Sequence, residues 1–309
     1  MRIVSYNVRY FGHALKGLAS TAKAKQRIAQ ALCALEPNAD IICLQEVEHG
    51  SIRAGVAHRG AISGDTQLDA FMRHLDAAYH LAGRVQPYRA FYFPAHAYRL
   101  GSLKLYTTGL AILINARKLH VVGHNQTEPK SVTSFGQTPV KAIKQTRIVA
   151  HLQVENTRGR RMHVFNTHLS LPSPFRRDFW KKGPRFGFGP NQLEEARVVA
   201  SYIGQLCKKE PYVLCGDFNA LPTSPVYSYL THEAGMRAAQ EELGQIDPKV
   251  PDLFPTAGFL ALRMHLDHLF AGPGVEWMDL DGTCAFDDTK SPFFGLSDHV
   301  PLIANFTFG

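Results

Sequence analysis

Short apolar runs recur along the 309-residue chain, and each one runs into polar or charged residues. Tyr212-Val213-Leu214-Cys215 leads into Gly216-Asp217-Phe218-Asn219. An apolar run closed by a turn residue reads as a core strand. Ile3-Val4-Ser5-Tyr6 reaches Asn7 in the same way, and Ile41-Ile42-Cys43-Leu44 reaches Gln45-Glu46. Met162-His163-Val164-Phe165 delivers Asn166-Thr167-His168, and Met264 to Phe270 places Asp267 inside a short strand-like stretch. Leu296-Ser297-Asp298-His299 precedes a last apolar run, Val300 to Phe306. Further strands are predicted at Leu110 to Ile114 and Arg147 to Val154. Lys23 to Leu35 has Ile28, Leu32 and Leu35 at amphipathic helix spacing, with Pro37 as its stop. Leu68 to Tyr79 and Asn191 to Leu206 read as helices likewise. The pattern predicts a mixed α/β protein with many strands.

The polar ends carry the functional signal. Side chains two apart in an extended chain point the same way, so Asp217 and Asn219 are expected to face one spot. An acid and an amide at a strand's carboxyl end suit an anionic, phosphoryl substrate, although the same pair can make a turn with nearby backbone. Six such interruptions of apolar strands are hard to explain by packing, because burying an unpaired charge costs several kcal/mol. Asn7, Glu46 and Asp298 are oxygen donors without thiolate or paired histidine, which suits a hard ion such as Mg²⁺ over zinc. A histidine can titrate near neutral pH, which makes His299 the natural general base for water.

In order, these blocks resemble the endonuclease/exonuclease/phosphatase family, which includes deoxyribonuclease I, exonuclease III, messenger-RNA deadenylases, neutral sphingomyelinases and inositol-polyphosphate 5-phosphatases. The matching residues are Tyr6-Asn7, Leu44-Gln45-Glu46, Asn166-Thr167-His168-Leu169, Gly216-Asp217-Phe218-Asn219, Leu266-Asp267-His268 and Ser297-Asp298-His299. The likeness runs from residue 3 to about residue 305. It implies a four-layer α/β sandwich, two packed mixed sheets flanked by helices, with the site at one sheet edge. It assigns Glu46, Asn7 and Asp298 to a centre for Mg²⁺, with Mn²⁺ as a substitute. It makes Asp267 the partner of His299, with Asp217 orienting water or passing a proton to the leaving oxygen. Asn219 and His168 would donate to the non-bridging phosphate oxygens. His265 and His268 flank Asp267 and are expected on the opposite face, packed in the strand or exposed.

Composition narrows the picture. The polar blocks span the chain and no low-complexity linker divides it, so residues 1–309 are read as one catalytic domain. The cysteines (Cys33, Cys43, Cys207, Cys215, Cys284) form no close-spaced pair, and Cys43 and Cys215 lie in apolar runs as buried thiols would. The first strand begins at once, with no room for a signal peptide, so a cytoplasmic location is expected. No apolar run approaches a membrane span.

A net charge of +8 favours a polyanionic partner. Residues 171–190 bring five basic residues and one acid together with five aromatics directly after the His168 strand. Arg176, Arg177 and Trp180 are its candidate substrate contacts, because basic side chains neutralise phosphates and aromatics stack on bases. Arg84 to Tyr106 is similar, although the alternation of Phe91 and Phe93 marks part of it as core strand. Nucleic acid is therefore the expected substrate. Inositol phosphates or phospholipids are the alternative, since aromatic-basic loops also dock on anionic membranes.

Overall fold

The computed structural model describes residues 1–11, 22–49, 66–100, 103–133, 146–171, 186–249, 254–259, 262–281, 285–286 and 288–309. Along the chain, β1 (Arg2–Asn7), α1 (Ala22–Cys33), β2 (Ile41–His49) and α2 (Gln67–Leu81) come first. A hairpin of β3 (Tyr88–Leu100) and β4 (Leu103–Asn115) follows, then β5 (Leu119–His124) and β6 (Lys130–Ser131). Next are β7 (Ile148–Asn156), β8 (Arg161–His168), α3 (Pro190–Cys207) and β9 (Tyr212–Asp217). The chain closes through β10 (Arg237–Ala238), β11 (Ala257–Phe259), β12 (Leu262–Met264), β13 (Asp267–Ala271), β14 (Val275–Leu280) and β15 (Leu302–Phe308).

One six-stranded sheet runs β14-β15-β1-β2-β4-β3, and a seven-stranded sheet runs β10-β13-β9-β8-β7-β5 with β6 beside β7. Their facing sides share one core, in which Ile3, Ile41 and Ile112 of the first sheet meet Leu152, Val164 and Val213 of the second. The outer face of the first sheet packs on α1 and α2 through Ile28, Leu32, Phe71 and Leu75. The outer face of the second packs on α3 through Ala196, Val199 and Ile203. These apolar surfaces define the four layers of a helix–sheet–sheet–helix sandwich. The strands and helices expected from periodicity are present with ends shifted by a few residues, except that β4 extends well beyond its predicted core and the stretch from Met264 to Phe270 is broken at His265-Leu266, so that Asp267 begins β13 and does not lie inside a strand.

Each sheet contains one parallel pair, β1 with β2 and β8 with β9. Their carboxyl ends carry Asn7, Glu46, His168 and Asp217, and the two pairs converge, since Asn7 Nδ2 donates to Asp217 Oδ2 at 3.0 Å. Two antiparallel strands then bring in the rest. In β13, Asp267 is paired with Asp217, so the strand starts where β9 ends. In β15, Leu302 is paired with Ser5, which sets the preceding Asp298-His299 beside the end of β1.

Close approach of backbone fixes one glycine. Gly216 has φ 148°, and a Cβ there would lie 1.9 Å from the carbonyl oxygen of Thr167 on β8. Gly216→Ala must therefore push β9 from β8 one residue before Asp217. We expect a loss of more than about 2 kcal/mol of stability, read as a lowered denaturation midpoint. An alanine variant as stable as the parent would contradict this account of the β8–β9 contact.

Candidate active site

Glu46 owes its direction to an interruption of its strand. The register of β2 against β4 shifts between Leu44 and Val47, and Glu46 within this bulge has φ 57°. A left-handed conformation costs a non-glycine residue about 1–2 kcal/mol, and bulges next to sites re-aim side chains. Glu46 Oε1 accepts from Asn7 Nδ2 at 3.4 Å and lies 4.0 Å from His168 Nε2.

His299 and Asp267 form the strongest pairing in the cluster. Nδ1 of His299 is 2.8 Å from Oδ2 of Asp267, which leaves Nε2 facing Asp217 Oδ2 at 3.8 Å. Thr256 fixes the carboxylate: its hydroxyl donates to Asp267 Oδ2 at 2.7 Å and accepts the backbone N–H groups of Leu266 and Asp267, each at 3.0 Å. The Thr256 carbonyl also accepts from Val300 N–H, and Asp298 O accepts from Gly258 N–H. The 256–258 segment thus clamps His299 on both sides. Ser297 Oγ donates to Asn7 O at 2.8 Å and ties the same loop to β1.

The other residues singled out from the sequence fall around this pair. His168 Nε2 stands 3.5 Å from Asp217 Oδ2. Asp298 forms an ion pair with Arg9. Asn219 departs from strand alternation, because β9 ends at Asp217 and Asn219 turns to φ 48°. Its N–H donates to Asp217 Oδ1 at 2.9 Å and its Nδ2 to Leu169 O at 3.0 Å, so the acid and amide are brought together by a turn. His265 and His268 are fully buried away from the site, His268 on the carbonyl of Ala220 and His265 on that of Phe254. Arg176, Arg177 and Trp180 lie outside the described residues.

Sequence reasoning missed several residues that hold the site. Gln192 Nε2 donates to Ser170 O and Asn219 O, and buried Glu195 accepts from both N–H and Oγ of Ser170. One helical turn of α3 thus braces the loops that leave His168 and Asp217. Gln45 Nε2 donates to Asn166 Oδ1 at 2.8 Å, joining the two sheets beneath the site. Gln45 and Asn166 stood in recognisable blocks, whereas Thr256, Arg9, Gln192 and Glu195 had no local signal.

The electrostatics follow from burial and crowding. Burial alone would lower the His299 imidazole, but Asp267 and Asp217 outweigh it and raise the group to about 10. Burial lifts the Asp217 carboxyl above the usual range, with His299 pulling the other way. Glu46 is raised by burial against the same pull. Burial, then Arg147 and His299, push His168 well below its ordinary value, so it stands as a neutral N–H donor.

This crowding is the test of whether a cation belongs here. Glu46, Asp217, Asp267 and Asp298 converge, and Glu46 has only the weak amide contact of Asn7 as a hydrogen bond among the described residues. Carboxylate and amide oxygens in such a cluster fit a hard dication. Glu46, Asn7 and Asp298 could hold it. Asp217, Asp267 and His299 also bring ligand atoms within 4.8 Å of one another, but the Asp267–His299 hydrogen bond already occupies two of them, as in an acid–base pair.

Histidines outside the site give a pH test of the fold. Burial holds His151 at about 3 and His265 at about 4, below the 6.5 of an exposed imidazole. The unfolded chain therefore binds more protons below pH 6.5, and stability falls as pH drops from there toward the folded values. His151 alone should cost roughly 2 kcal/mol at pH 5. Urea denaturation at pH 7.5 and 5.0 checks this, with His151→Gln expected to reduce the difference.

A sandwich with such a cluster at the ends of its central strands defines a metal-dependent phosphoesterase fold. The family model for the endonuclease/exonuclease/phosphatase family matches residues 4–299, and the chain belongs to that family of hydrolases acting on phosphoesters. Solved structures agree in fold. The human Nocturnin catalytic domain with bound sulfate is 17% identical with a TM-score of 0.64, over 100% of this chain and 94% of that one. A mannosyl-6-phosphatase from Bacteroides thetaiotaomicron is 16% identical, TM-score 0.59, over 100% of both chains. Humanized D. rerio TDP2 is 16% identical, TM-score 0.58, over 99% of this chain and 98% of that one. Among curated proteins none matches by sequence. No helix among the described residues is long and apolar enough to cross a membrane.

Proposed function

We propose that this protein is a divalent-metal-dependent nuclease that hydrolyses nucleic-acid phosphodiester bonds with an activated water. The observation that carries hydrolysis is the His299–Asp267 hydrogen bond aimed at Asp217 beside Glu46. Asp267 fixes the tautomer of His299, so that Nε2 faces the cluster and takes the proton of the attacking water. Asp217 orients that water or passes a proton to the leaving oxygen. Neutral His168 and the remaining amide hydrogen of Asn219 donate to non-bridging phosphate oxygens. Glu46, Asn7 and Asp298 would hold Mg²⁺, or Mn²⁺ in its place. When bound there, such an ion would supply positive charge to offset the carboxylates and to polarise a phosphoryl oxygen.

The choice of nucleic acid rests on charge. A net charge of +8 and the basic-aromatic segment 171–190 suit a polyanion with stackable bases. The segment follows β8 in the chain, and Glu195 of α3 holds Ser170, the residue just before it. A phosphatase or phosphodiesterase of lipid or inositol phosphates is the second reading, favoured by the fold's likeness to the mannosyl-6-phosphatase. The segment distinguishes them. Under the nuclease reading, replacing Arg176 and Arg177 by alanine weakens DNA binding and lowers the log–log salt slope by roughly 0.7–0.9 per lost phosphate contact. Trp180→Ala costs about 1–3 kcal/mol of binding if the indole stacks on a base. Unchanged DNA affinity and slope, with weaker association to sphingomyelin or phosphoinositide vesicles, would favour the lipid reading.

A further inference from the structure

Asn219 stands in the left-handed region at φ 48°. Asparagine tolerates that conformation better than most side chains, but it persists only where the surroundings over-determine it. Two of its contacts come from the ends of β9 and β8: its N–H donates to Asp217 Oδ1 at 2.9 Å and its Nδ2 to Leu169 O at 3.0 Å. The third comes from α3, where Gln192 Nε2 donates to the Asn219 carbonyl at 2.9 Å. The second hydrogen on Asn219 Nδ2 has no partner among the described residues.

Gln192 is 1% exposed and uses its whole amide. One N–H reaches Asn219 O and the other Ser170 O at 2.7 Å, while Oε1 accepts from the N–H groups of Gly187 at 3.1 Å and Gly189 at 3.3 Å. A carboxylate or an apolar chain of the same shape would lack both donors. Gly187 shows how tightly this platform is fitted under Asn219. Its φ is 83°, and a Cβ there would lie 2.3 Å from Ser224 Oγ and 2.7 Å from Ala220 Cβ. Leu221 N–H donates to Phe186 O and Val226 N–H to Gly187 O, which fastens residues 186–187 to the turn that leaves Asn219. The strained residue is therefore held from both sides, by the catalytic strand ends and by a platform centred on Gln192.

We propose that Gln192 is a positioning residue for the reaction, fixing Asn219 so that its free amide hydrogen addresses one non-bridging phosphate oxygen and not the other. Gln192 touches no reacting atom and acts through the Asn219 backbone. In a phosphodiester with two different ester groups the non-bridging oxygens are not equivalent, so a single fixed donor makes the enzyme stereoselective at phosphorus. A donor free to rotate would serve either oxygen. The inference rests on the phosphodiesterase reading of the site, and one arm of its test does not depend on turnover.

The test uses thymidine dinucleotides carrying an Rp or an Sp phosphorothioate, in which sulfur, a poor acceptor, replaces one non-bridging oxygen. The share of the Rp/Sp rate ratio owed to Asn219 is the difference between the parent and Asn219→Ala. Gln192→Glu, with Gln192→Leu beside it, should lower kcat by about 10²-fold, the cost of a misplaced group, with KM nearly unchanged. Both should move the Rp/Sp ratio to the Asn219→Ala value. A ratio does not depend on how much enzyme is folded, so a merely structural role would leave it where it was. In the second arm, thymidine 5′-monophosphate with Mg²⁺ should shift the NMR signal of the free Asn219 amide hydrogen in the parent and not in the Gln192 variants. A parental ratio in both Gln192 variants, or a ratio that Asn219→Ala leaves unchanged, would overturn the proposal, as would an amide signal that responds alike in parent and variants. If the amide behaves as expected while no dinucleotide is cleaved, the positioning role stands and the hydrolase reading falls.

Discussion

His299→Ala is expected to lower turnover by more than three orders of magnitude while leaving substrate binding nearly intact. Loss of a general base costs about 10²–10⁴, and among the described residues no other imidazole is placed to replace it. His168, the nearest, is neutral and faces Asp217 and Glu46 as a donor. Asp267→Asn should cost less, because the base itself is retained and only its orientation and the stabilisation of its cation are lost. Its amide still accepts from Thr256 or donates to a neighbour, but it no longer stabilises the imidazolium. A steady-state kcat near the parent value for His299→Ala would remove the histidine from the mechanism. An Asp267→Asn variant as silent as a surface change would show that the 2.8 Å hydrogen bond has no catalytic consequence.

Glu46→Gln carries the second large effect. The amide keeps the shape of the side chain in its bulge and removes the charge, so the fold should persist while divalent affinity falls. Outer contacts of Glu46 are few, the Asn7 amide at 3.4 Å being the nearest, which limits the structural cost. Calorimetric titration with Mn²⁺ should show at least about tenfold weaker binding, and hydrolysis should fall with it. An independent reading comes from His299, raised to about 10 by its carboxylate neighbours. Adding Mg²⁺ should lower its NMR titration midpoint in the parent protein and leave it high in the variant. Unchanged metal affinity in Glu46→Gln would move the cation to other ligands.

The parts of this site that were legible in the sequence are those carried by local pattern. A run such as Tyr212 to Cys215 predicts its own strand, and the polar residue that ends it predicts a place at the strand's carboxyl end. Asn7, His168 and Asp217 were readable for that reason, whereas Asp267, expected inside a strand, begins β13. Glu46 was readable as a residue but not as a conformation, because its left-handed bulge is imposed by pairing with β4 from about sixty residues away. Asn219 shows the limit of alternation: the strand stops two residues earlier, and a turn does the work that period two was expected to do. The bracing residues were not readable at all. Thr256 meets Asp267 across a turn of backbone, and Arg9 meets Asp298 from the other end of the chain. Such contacts exist only once both sheets are assembled, and nothing in the flanking residues announces them. The substrate side is the least determined by pattern, since basic and aromatic residues look alike whether they meet a nucleic acid or a lipid headgroup.

We propose metal-dependent hydrolysis of nucleic acid at the His299–Asp267–Asp217–Glu46 cluster. The measurement that tests it most directly is cleavage of plasmid and single-stranded DNA beside sphingomyelin and phosphoinositides, with Mg²⁺ and with excess chelator. Cleavage of DNA in Mg²⁺, none in chelator, and little turnover of the lipids are expected. Undiminished cleavage in chelator would contradict the metal centre, and turnover confined to the lipids would contradict the nuclease.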